Sequence, residues 1–183
     1  MVPVTAATKK IRRRRAAGET AVEQTRDVAQ VASLLSAAGM FAMGVESPGG
    51  CYLVAYIGDE VAGVVGIESR VDAALIRSLM VMERMRRRGI GAALISAART
   101  AAHTRGARTL YAFACGDDSA SHLDRPGSAR YLKRFGFVPA ISEEMLKALT
   151  GTFTADYLRQ HPDVLAGLQT LSLDISTDGL ILR

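Results

Sequence analysis

The chain has 183 residues, enough for one domain with a sizeable core, and 49% of them are apolar whereas only 5% are aromatic. So few aromatic residues argue against a stacking platform for single-stranded nucleic acid. The formal charge of +5 is local, because without the basic residues of segment 9–15 the chain has 17 basic residues against 18 acidic ones.

The first predicted helix follows a polar, basic segment. Residues 1–20 have no apolar period and are interpreted as a solvated terminus or an irregular edge strand around Lys9–Ala16, with nucleic-acid or acidic-membrane contact as the alternative. From Arg26 to Gly39, apolar residues recur at helical spacing, and the glycine marks the end of the helix. Met40–Gly50 is predicted to be a loop, which in an enzyme would suit a flap on the substrate side.

The middle of the chain predicts three antiparallel strands followed by a crossover helix. Cys51–Ile57 and Glu60–Glu68 are apolar runs on either side of a Gly-Asp turn, which is the pattern of a hairpin. A third apolar run, Ala74–Val81, leads into a helix from Ile90 to about Arg105. Because this helix separates them, the strand Thr109–Cys115 is predicted to lie parallel to the third strand.

The last third of the chain predicts short elements. After a polar loop, a helix over Ser128–Phe135 leads to a strand that begins at Phe137. Ser142–Leu168 is expected to form helical pieces inserted before a last strand around Leu171–Ile175, where apolar and polar residues alternate. This last strand is expected to pair with the strand near Phe137.

The polar loop from Gly116 to Gly127 contains several residue types that bind metals. Asp117, Asp118 and His122 nevertheless match no firm ligand spacing, so no metal site is predicted and a solvated loop is the preferred interpretation.

The strongest chemical pattern is the turn between the third strand and the long helix, with the sequence Arg-Arg-Arg-Gly-Ile-Gly-Ala over residues 86–92. Unpaired N–H groups in the first turn of a helix and the helix dipole together favour an anion there. The ATP-type loop is excluded, because no Gly-Lys-Ser/Thr follows, and so is the dinucleotide fingerprint, which needs G-x-G-x-x-G in a parallel unit. A helix start that uses glycine only for packing is the remaining alternative.

At these residues the sequence resembles the GNAT family of acetyl-CoA-dependent N-acetyltransferases, over about residues 25–140. The likeness includes the first helix, the three-strand meander, the arginine-glycine turn with its helix, the next strand, and Arg130–Phe137. It implies an α/β (α+β) GNAT-like fold, with a mixed, mostly antiparallel sheet of about seven strands flanked by helices. The sheet would splay between Ala73–Val81 and Thr109–Cys115, in a single domain over residues 21–183 with the helical insertion at about 142–168.

The resemblance also implies how acetyl-CoA would bind. In the family, backbone amides of the turn bind the pyrophosphate, and backbone groups of the preceding strand bind the pantetheine arm. The pyrophosphate positions carried over are Arg87, Arg88, Gly89, Ile90 and Gly91, and the flanking Arg86 and Ala92 are included in the cofactor site. The pantetheine positions carried over are Leu79 and Val81, and Met80 between them is included in the cofactor site.

Acetyl transfer to an amine needs a group that accepts the amine's proton, directly or through water. Glu68, at the end of its strand, is the candidate base, and its alternative role is an ion pair with Arg70 or Arg77. Arg77 interrupts an apolar strand, where an unpaired charge is costly. It is either a clamp for a substrate carboxylate or a structural partner of Glu68 or Asp72. Ser78 either binds substrate or bonds to a neighbouring strand.

The family often has a tyrosine four residues before the glycine of its Gly-Phe pair, where it can protonate the departing thiolate. Leu132 occupies that position in this chain, and the adjacent Tyr131 is the candidate catalytic acid. Water or another group is the alternative proton donor.

Within the family the sequence is most similar to the arsenic-resistance type and to the acetyltransferase domain of N-acetylglutamate synthases. This likeness rests on Gly63–Glu68, Leu75–Val81 and Arg108–Tyr111, together with Thr152-Phe153. It implies direct, metal-free acetyl transfer from acetyl-CoA to a primary amine of a small amino-acid-like molecule. The alternatives are a protein amine as the acceptor and a non-catalytic acyl-CoA-binding regulatory module.

The remaining expectations concern location and partners. Cys51 and Cys115 have no paired-ligand spacing and are interpreted as buried residues of a protein in a reducing, cytoplasmic compartment. No apolar run approaches the roughly 20 residues of a membrane span, and no signal-peptide core follows the basic segment. We expect no specific nucleic-acid partner and no membrane contact, and the sequence leaves a homodimer open.

Overall fold

A seven-stranded mixed sheet, in the order β1-β2-β3-β4-β5-β7-β6, forms the centre of the computed structural model, which describes residues 19–115 and 128–176. The strands are β1 (Thr20–Thr25), β2 (Gly50–Ile57), β3 (Glu60–Ser69), β4 (Ala73–Val81), β5 (Thr109–Cys115), β6 (Val138–Pro139) and β7 (Leu168–Asp174). The helices are α1 (Val28–Ala37), α2 (Ile90–Thr104), α3 (Ser128–Lys133), α4 (Ser142–Ala148), α5 (Phe153–Gln160) and α6 (Pro162–Ala166), and a 3-10 turn covers Glu83–Met85. This architecture confirms the predicted mixed sheet with flanking helices.

The meander and the crossover follow the sequence pattern closely. β2, β3 and β4 pair in antiparallel order, and β5 is parallel to β4 as predicted. α1 begins where the Asp27 side chain accepts a hydrogen bond from the Gln30 N–H at 2.9 Å, and Gly39, at a φ of 64°, follows its end. The segment predicted as helical pieces contains α4, α5 and α6.

Two pairings of the sheet were not predicted. β7 pairs with β6, as expected, but it also pairs along its whole length with β5, from Leu168 opposite Cys115 to Asp174 opposite Thr109. β1 pairs with β2 at the edge of the sheet, although its sequence, Thr-Ala-Val-Glu-Gln-Thr, contains no apolar run. The edge strand expected around Lys9–Ala16 and the polar loop 116–127 lie outside the described residues.

Successive side chains of each strand point to opposite faces of the sheet, so each face packs against its own cluster of apolar residues. Leu53 and Ala55 of β2 belong to a cluster with Ile90, Leu94 and other residues of α2. The intervening positions point to the opposite face, where α1 covers one half of the sheet and α4 and α5 cover the other. Between these two groups of helices, the sheet has a polar stretch that contains Glu68 and Arg77.

The sheet opens between its central parallel strands. β4 and β5 pair only from Ala73 opposite Thr109 to Ile76 opposite Ala112. Beyond that point β4 continues beside β3 and β5 continues beside β7, so the two strands diverge towards their carboxyl ends. The expected splay is therefore present, and the turn after β4 lies at its open end.

The sequence predicted buried cysteines and no membrane-spanning segment. Cys51 is buried, and this desolvation raises the pKa of its thiol, an effect that the nearby Arg105 opposes. The side chain of Cys115 is not among the described groups. Among the described residues, no helix is both long and apolar enough to cross a membrane.

Candidate active site

The turn before α2 has the backbone geometry of an anion site. Arg87 and Gly89 both have left-handed conformations, with φ values of 60° and 77°, so neighbouring N–H groups form a concave surface. None of the backbone hydrogen bonds among the described residues uses the N–H groups of residues 87–92, and the pattern resumes at the Ala93 N–H, 3.0 Å from the Gly89 oxygen. A left-handed non-glycine residue costs about 1–2 kcal/mol, and such strain concentrates at functional sites.

The arginines of the turn differ in what they contact. Arg86 donates from Nε to the Val81 carbonyl at 3.4 Å, so its side chain lies back against the end of β4. Arg87 and Arg88 are exposed and form no ion pair with any residue in the ranges 19–115 and 128–176. Both side chains lie at the surface beside the turn.

Tyr131 of α3 lies beside this turn. A Cβ atom on Gly91 would overlap the Tyr131 hydroxyl, so a larger residue at position 91 would displace that hydroxyl from the turn. The ring packs edge-on against Phe135 with 5.1 Å between centroids, and burial raises the pKa of the phenol, with Arg134 opposing the shift. Leu132, at the position where the family often has tyrosine, is 3% exposed and packs in the core instead.

A β-bulge in β4 lies next to the splay. Val64 pairs with Met80 and Gly66 pairs with Arg77, so Ser78 and Leu79 together oppose one residue of β3. Ser78 has a φ of 54°, a strained value for a residue with a side chain. The bulge leaves the backbone around Leu79 at the open edge of β4, where the pantetheine positions were predicted.

Glu68 and Arg77 form a buried ion pair. Arg77 Nη1 donates to Glu68 Oε1 at 2.6 Å, and the two side chains are only 8% and 4% exposed. Thr154 adds two hydrogen bonds to the same carboxylate, from its N–H to Oε2 at 3.0 Å and from its hydroxyl to Oε1 at 2.8 Å. The ion pair with Arg77 is the structural alternative that the sequence left open for Glu68, and the carboxylate also anchors the first turn of α5 to the sheet.

Arg77 also connects two segments that sequence reasoning did not place near it. Its Nη2 donates to the Met43 carbonyl at 2.5 Å, and its guanidinium carbon lies 5.5 Å from the ring centroid of Phe153. Met43 belongs to the loop between α1 and β2, and Phe153 begins α5. The guanidinium thus ties this loop and α5 together over the middle of the sheet.

The loop and α5 enclose a surface groove of about 460 Å³. Gly44 lies against Phe153 so closely that any Cβ atom would overlap the ring. The loop predicted as a substrate-side flap supplies most of the wall, and Phe153 closes one side. The lining residues are Ala32, Ala42, Gly44, Val45, Glu46, Ser47 and Phe153.

The chain has relatives by family and by fold. Residues 13–137 match the family model described as the Acetyltransferase (GNAT) family, which is more than half of the chain. A search of curated proteins finds no match.

The solved structures with a similar fold include an N-acetylglutamate synthase from Neisseria gonorrhoeae complexed with coenzyme A and N-acetyl-glutamate. It is 12% identical, with a TM-score of 0.60, and the alignment covers 87% of this chain and 36% of the synthase, so the chain spans about a third of that protein. Rv2747 from Mycobacterium tuberculosis, complexed with CoA, is 17% identical over 84% of this chain and 98% of that one, with a TM-score of 0.58.

A third similar structure is the ribosomal-protein-S18-alanine N-acetyltransferase from Escherichia coli. It is 14% identical, with a TM-score of 0.60, over 90% of this chain and 99% of that enzyme. At these identities, the likeness to solved structures concerns the fold alone.

Proposed function

The chain belongs to the GNAT acetyltransferase family, and we propose that it transfers the acetyl group of acetyl-CoA to the primary amine of a small amino-acid-like molecule. The observation that carries the proposal is that no described backbone group pairs with the N–H groups of residues 87–92, which lie at the open end of the splay between β4 and β5. Acetyl-CoA supplies a thioester as the acyl donor when it is bound.

The residues of the splay suit the coenzyme. The N–H groups of residues 87–92 would bind the pyrophosphate, and the exposed charges of Arg87 and Arg88 add to the attraction. The backbone of Leu79, Met80 and Val81 would bind the pantetheine arm along the open edge of β4. On this proposal the hydroxyl of Tyr131, which lies against Gly91, faces the pyrophosphate, and water protonates the departing thiolate instead.

The acceptor would bind on the face of the sheet that contains Arg77. A guanidinium has five N–H donors, and the contacts to Glu68 and Met43 use two of them, so donors remain for a substrate carboxylate. Glu68 remains the proposed base. Its carboxylate accepts three hydrogen bonds, which leaves about one acceptor position on Oε2 for the amine or for a water molecule that relays the proton.

A protein amine is the second candidate acceptor, and the exposed wall of the groove favours it. Phe41 and Met43 are 49% and 53% exposed on the loop that forms this wall. Such apolar side chains suit a peptide that lies along the surface. A homodimer, which the sequence left open, stays a prediction.

Thiol release from acetyl-CoA with a panel of L-amino acids, the matching amino-acid carboxamides and short peptides tests the proposal. We expect free amino acids to be turned over at least about 10-fold faster than their carboxamides, because a charge-assisted hydrogen bond to Arg77 contributes about 1.5–3 kcal/mol. Faster turnover of peptides and carboxamides would favour the protein acceptor. No thiol release with any amine would refute amine acetylation.

A further inference from the structure

Tyr52 of β2 carries a buried polar group that none of the described residues binds. The residue is 4% exposed, and its hydroxyl is buried without a hydrogen-bond partner among the described residues. Buried hydroxyl groups are almost always hydrogen-bonded, because leaving one unpaired costs stability. Phenylalanine would fill the same space without that cost, so the hydroxyl is available to a partner beyond residues 19–115 and 128–176.

The Tyr52 side chain lies beside Arg77, whose guanidinium forms the buried ion pair with Glu68. Tyr52 pairs with Gly66 across β2 and β3, and Gly66 pairs with Arg77 across β3 and β4. A Cβ atom on Gly66 would lie 2.6 Å from the Tyr52 ring and 2.9 Å from the Arg77 Cγ, so the two side chains meet over the glycine. The missing side chain of Gly66 is what brings the phenol and the guanidinium together.

The electrostatics keep the phenol protonated. Burial raises the pKa of Tyr52 above its ordinary value of 10.0, with Arg77 opposing the shift and Glu68 adding to it. A neutral hydroxyl is a hydrogen-bond donor at physiological pH, and beside a guanidinium it adds a second donor for an anionic group.

Phe153 separates this cluster from the groove. Its ring lies over the Arg77 guanidinium and also lines the groove beside Gly44. A rotation of the Phe153 side chain would therefore expose the Arg77 guanidinium to the groove.

We propose that Tyr52 is a specificity-determining residue of the acceptor site, whose hydroxyl donates a hydrogen bond to the acceptor carboxylate that Arg77 binds at the same time. This inference rests on the proposed function, because it needs an amino-acid-like acceptor. The acceptor carboxylate supplies the missing partner, so substrate binding satisfies a group that destabilises the free protein.

The substitution Tyr52→Phe tests this role with the L-amino acid that the wild type turns over fastest and with its carboxamide. We expect the KM for the free amino acid to rise about 10-fold, as for a lost hydrogen bond to a charged group, with kcat and the KM for acetyl-CoA unchanged. The KM for the carboxamide should change much less. The melting temperature of the free protein should be equal to or above that of the wild type, because the substitution removes an unpaired buried hydroxyl.

Tyr56→Phe provides the matched control, since Tyr56 is buried on the same face of β2 and in the same cluster under α1, but it pairs with Val61 and not with Gly66, the residue opposite Arg77. It should leave the KM for the amino acid unchanged. An unchanged KM for the amino acid in Tyr52→Phe overturns the inference. A lower melting temperature together with equal losses of kcat/KM for the amino acid and its carboxamide also overturns it, because that result would indicate that the hydroxyl only stabilises the fold. If the wild type acetylates no amino acid, the proposed function fails first and the inference fails with it.

Discussion

Gly89→Val is expected to weaken acetyl-CoA binding about 100-fold, which corresponds to about 2.8 kcal/mol. Gly89 has a φ of 77° and caps the amino end of α2. A β-branched residue there is strained by at least about 1–2 kcal/mol, so the backbone relaxes and its N–H groups turn out of the concave surface. Each hydrogen bond to a charged phosphate that is lost costs about 1.5–3 kcal/mol. Isothermal titration calorimetry of the wild type and of Gly89→Val with acetyl-CoA measures the difference in Kd.

Gly58→Val is the matched control for this change. Gly58 also has a left-handed φ, of 57°, and a Cβ atom there would likewise meet nothing within 4 Å, but it lies in the turn between β2 and β3. Both variants should lose a similar amount of folding stability, and only Gly89→Val should lose affinity for acetyl-CoA. If the two variants bound acetyl-CoA with equal affinity, the turn before α2 would not be part of the coenzyme site.

Arg77→Met is expected to lower the free energy of unfolding by about 3–5 kcal/mol. The substitution keeps an apolar chain of similar length but leaves the buried carboxylate of Glu68 without its cation. It also removes the donor to the Met43 carbonyl, so the loop beside the groove loses its tie to the sheet. Urea unfolding of the wild type and the variant gives the difference.

Two further variants separate this effect from a general loss of charge. Glu68→Gln combined with Arg77→Met should recover much of the stability, because the amide oxygen can accept from the Thr154 N–H while the amide NH2 donates to the Thr154 hydroxyl, and no buried charge is left unpaired. Arg84→Met breaks an exposed pair with Glu60, whose side chains are 61% and 51% exposed, and should cost under about 1 kcal/mol. A loss in Arg77→Met no larger than in Arg84→Met would show that the buried pair is dispensable.

The fold was predictable where the apolar period is strong. β2, β3 and β4 are apolar segments separated by short turns, and α2 ends beside a glycine. The order of these elements and the parallel crossover from β4 to β5 could therefore be predicted from local sequence patterns. β1 was missed because an edge strand exposed on one side needs few apolar residues, and its own sequence is mostly polar. The pairing of β5 with β7 joins segments over 50 residues apart, and no local pattern specifies it.

The candidate site was predictable only in part, for a related reason. The arginine-glycine turn is a contiguous motif, so its position at the amino end of α2 could be inferred, and so could an ion pair between Glu68 and Arg77 on adjacent strands. The contact of Thr154 with Glu68 spans 86 residues and depends on how α5 packs. The unpaired hydroxyl of Tyr52 could not be inferred either, because Gly66 brings it to Arg77 only once three strands are in register.

Acetyl-CoA binding by the turn after β4 is the central claim, and the melting temperature of the wild-type protein with millimolar acetyl-CoA tests it most directly. At 100-fold excess over Kd, binding stabilises the folded state by about 2.7 kcal/mol, which raises the melting temperature by roughly 5–10 °C for a chain of this size. Acetyl-pantetheine, which lacks the pyrophosphate, should give a much smaller rise at the same concentration. No rise with acetyl-CoA, or equal rises with both compounds, would contradict the account.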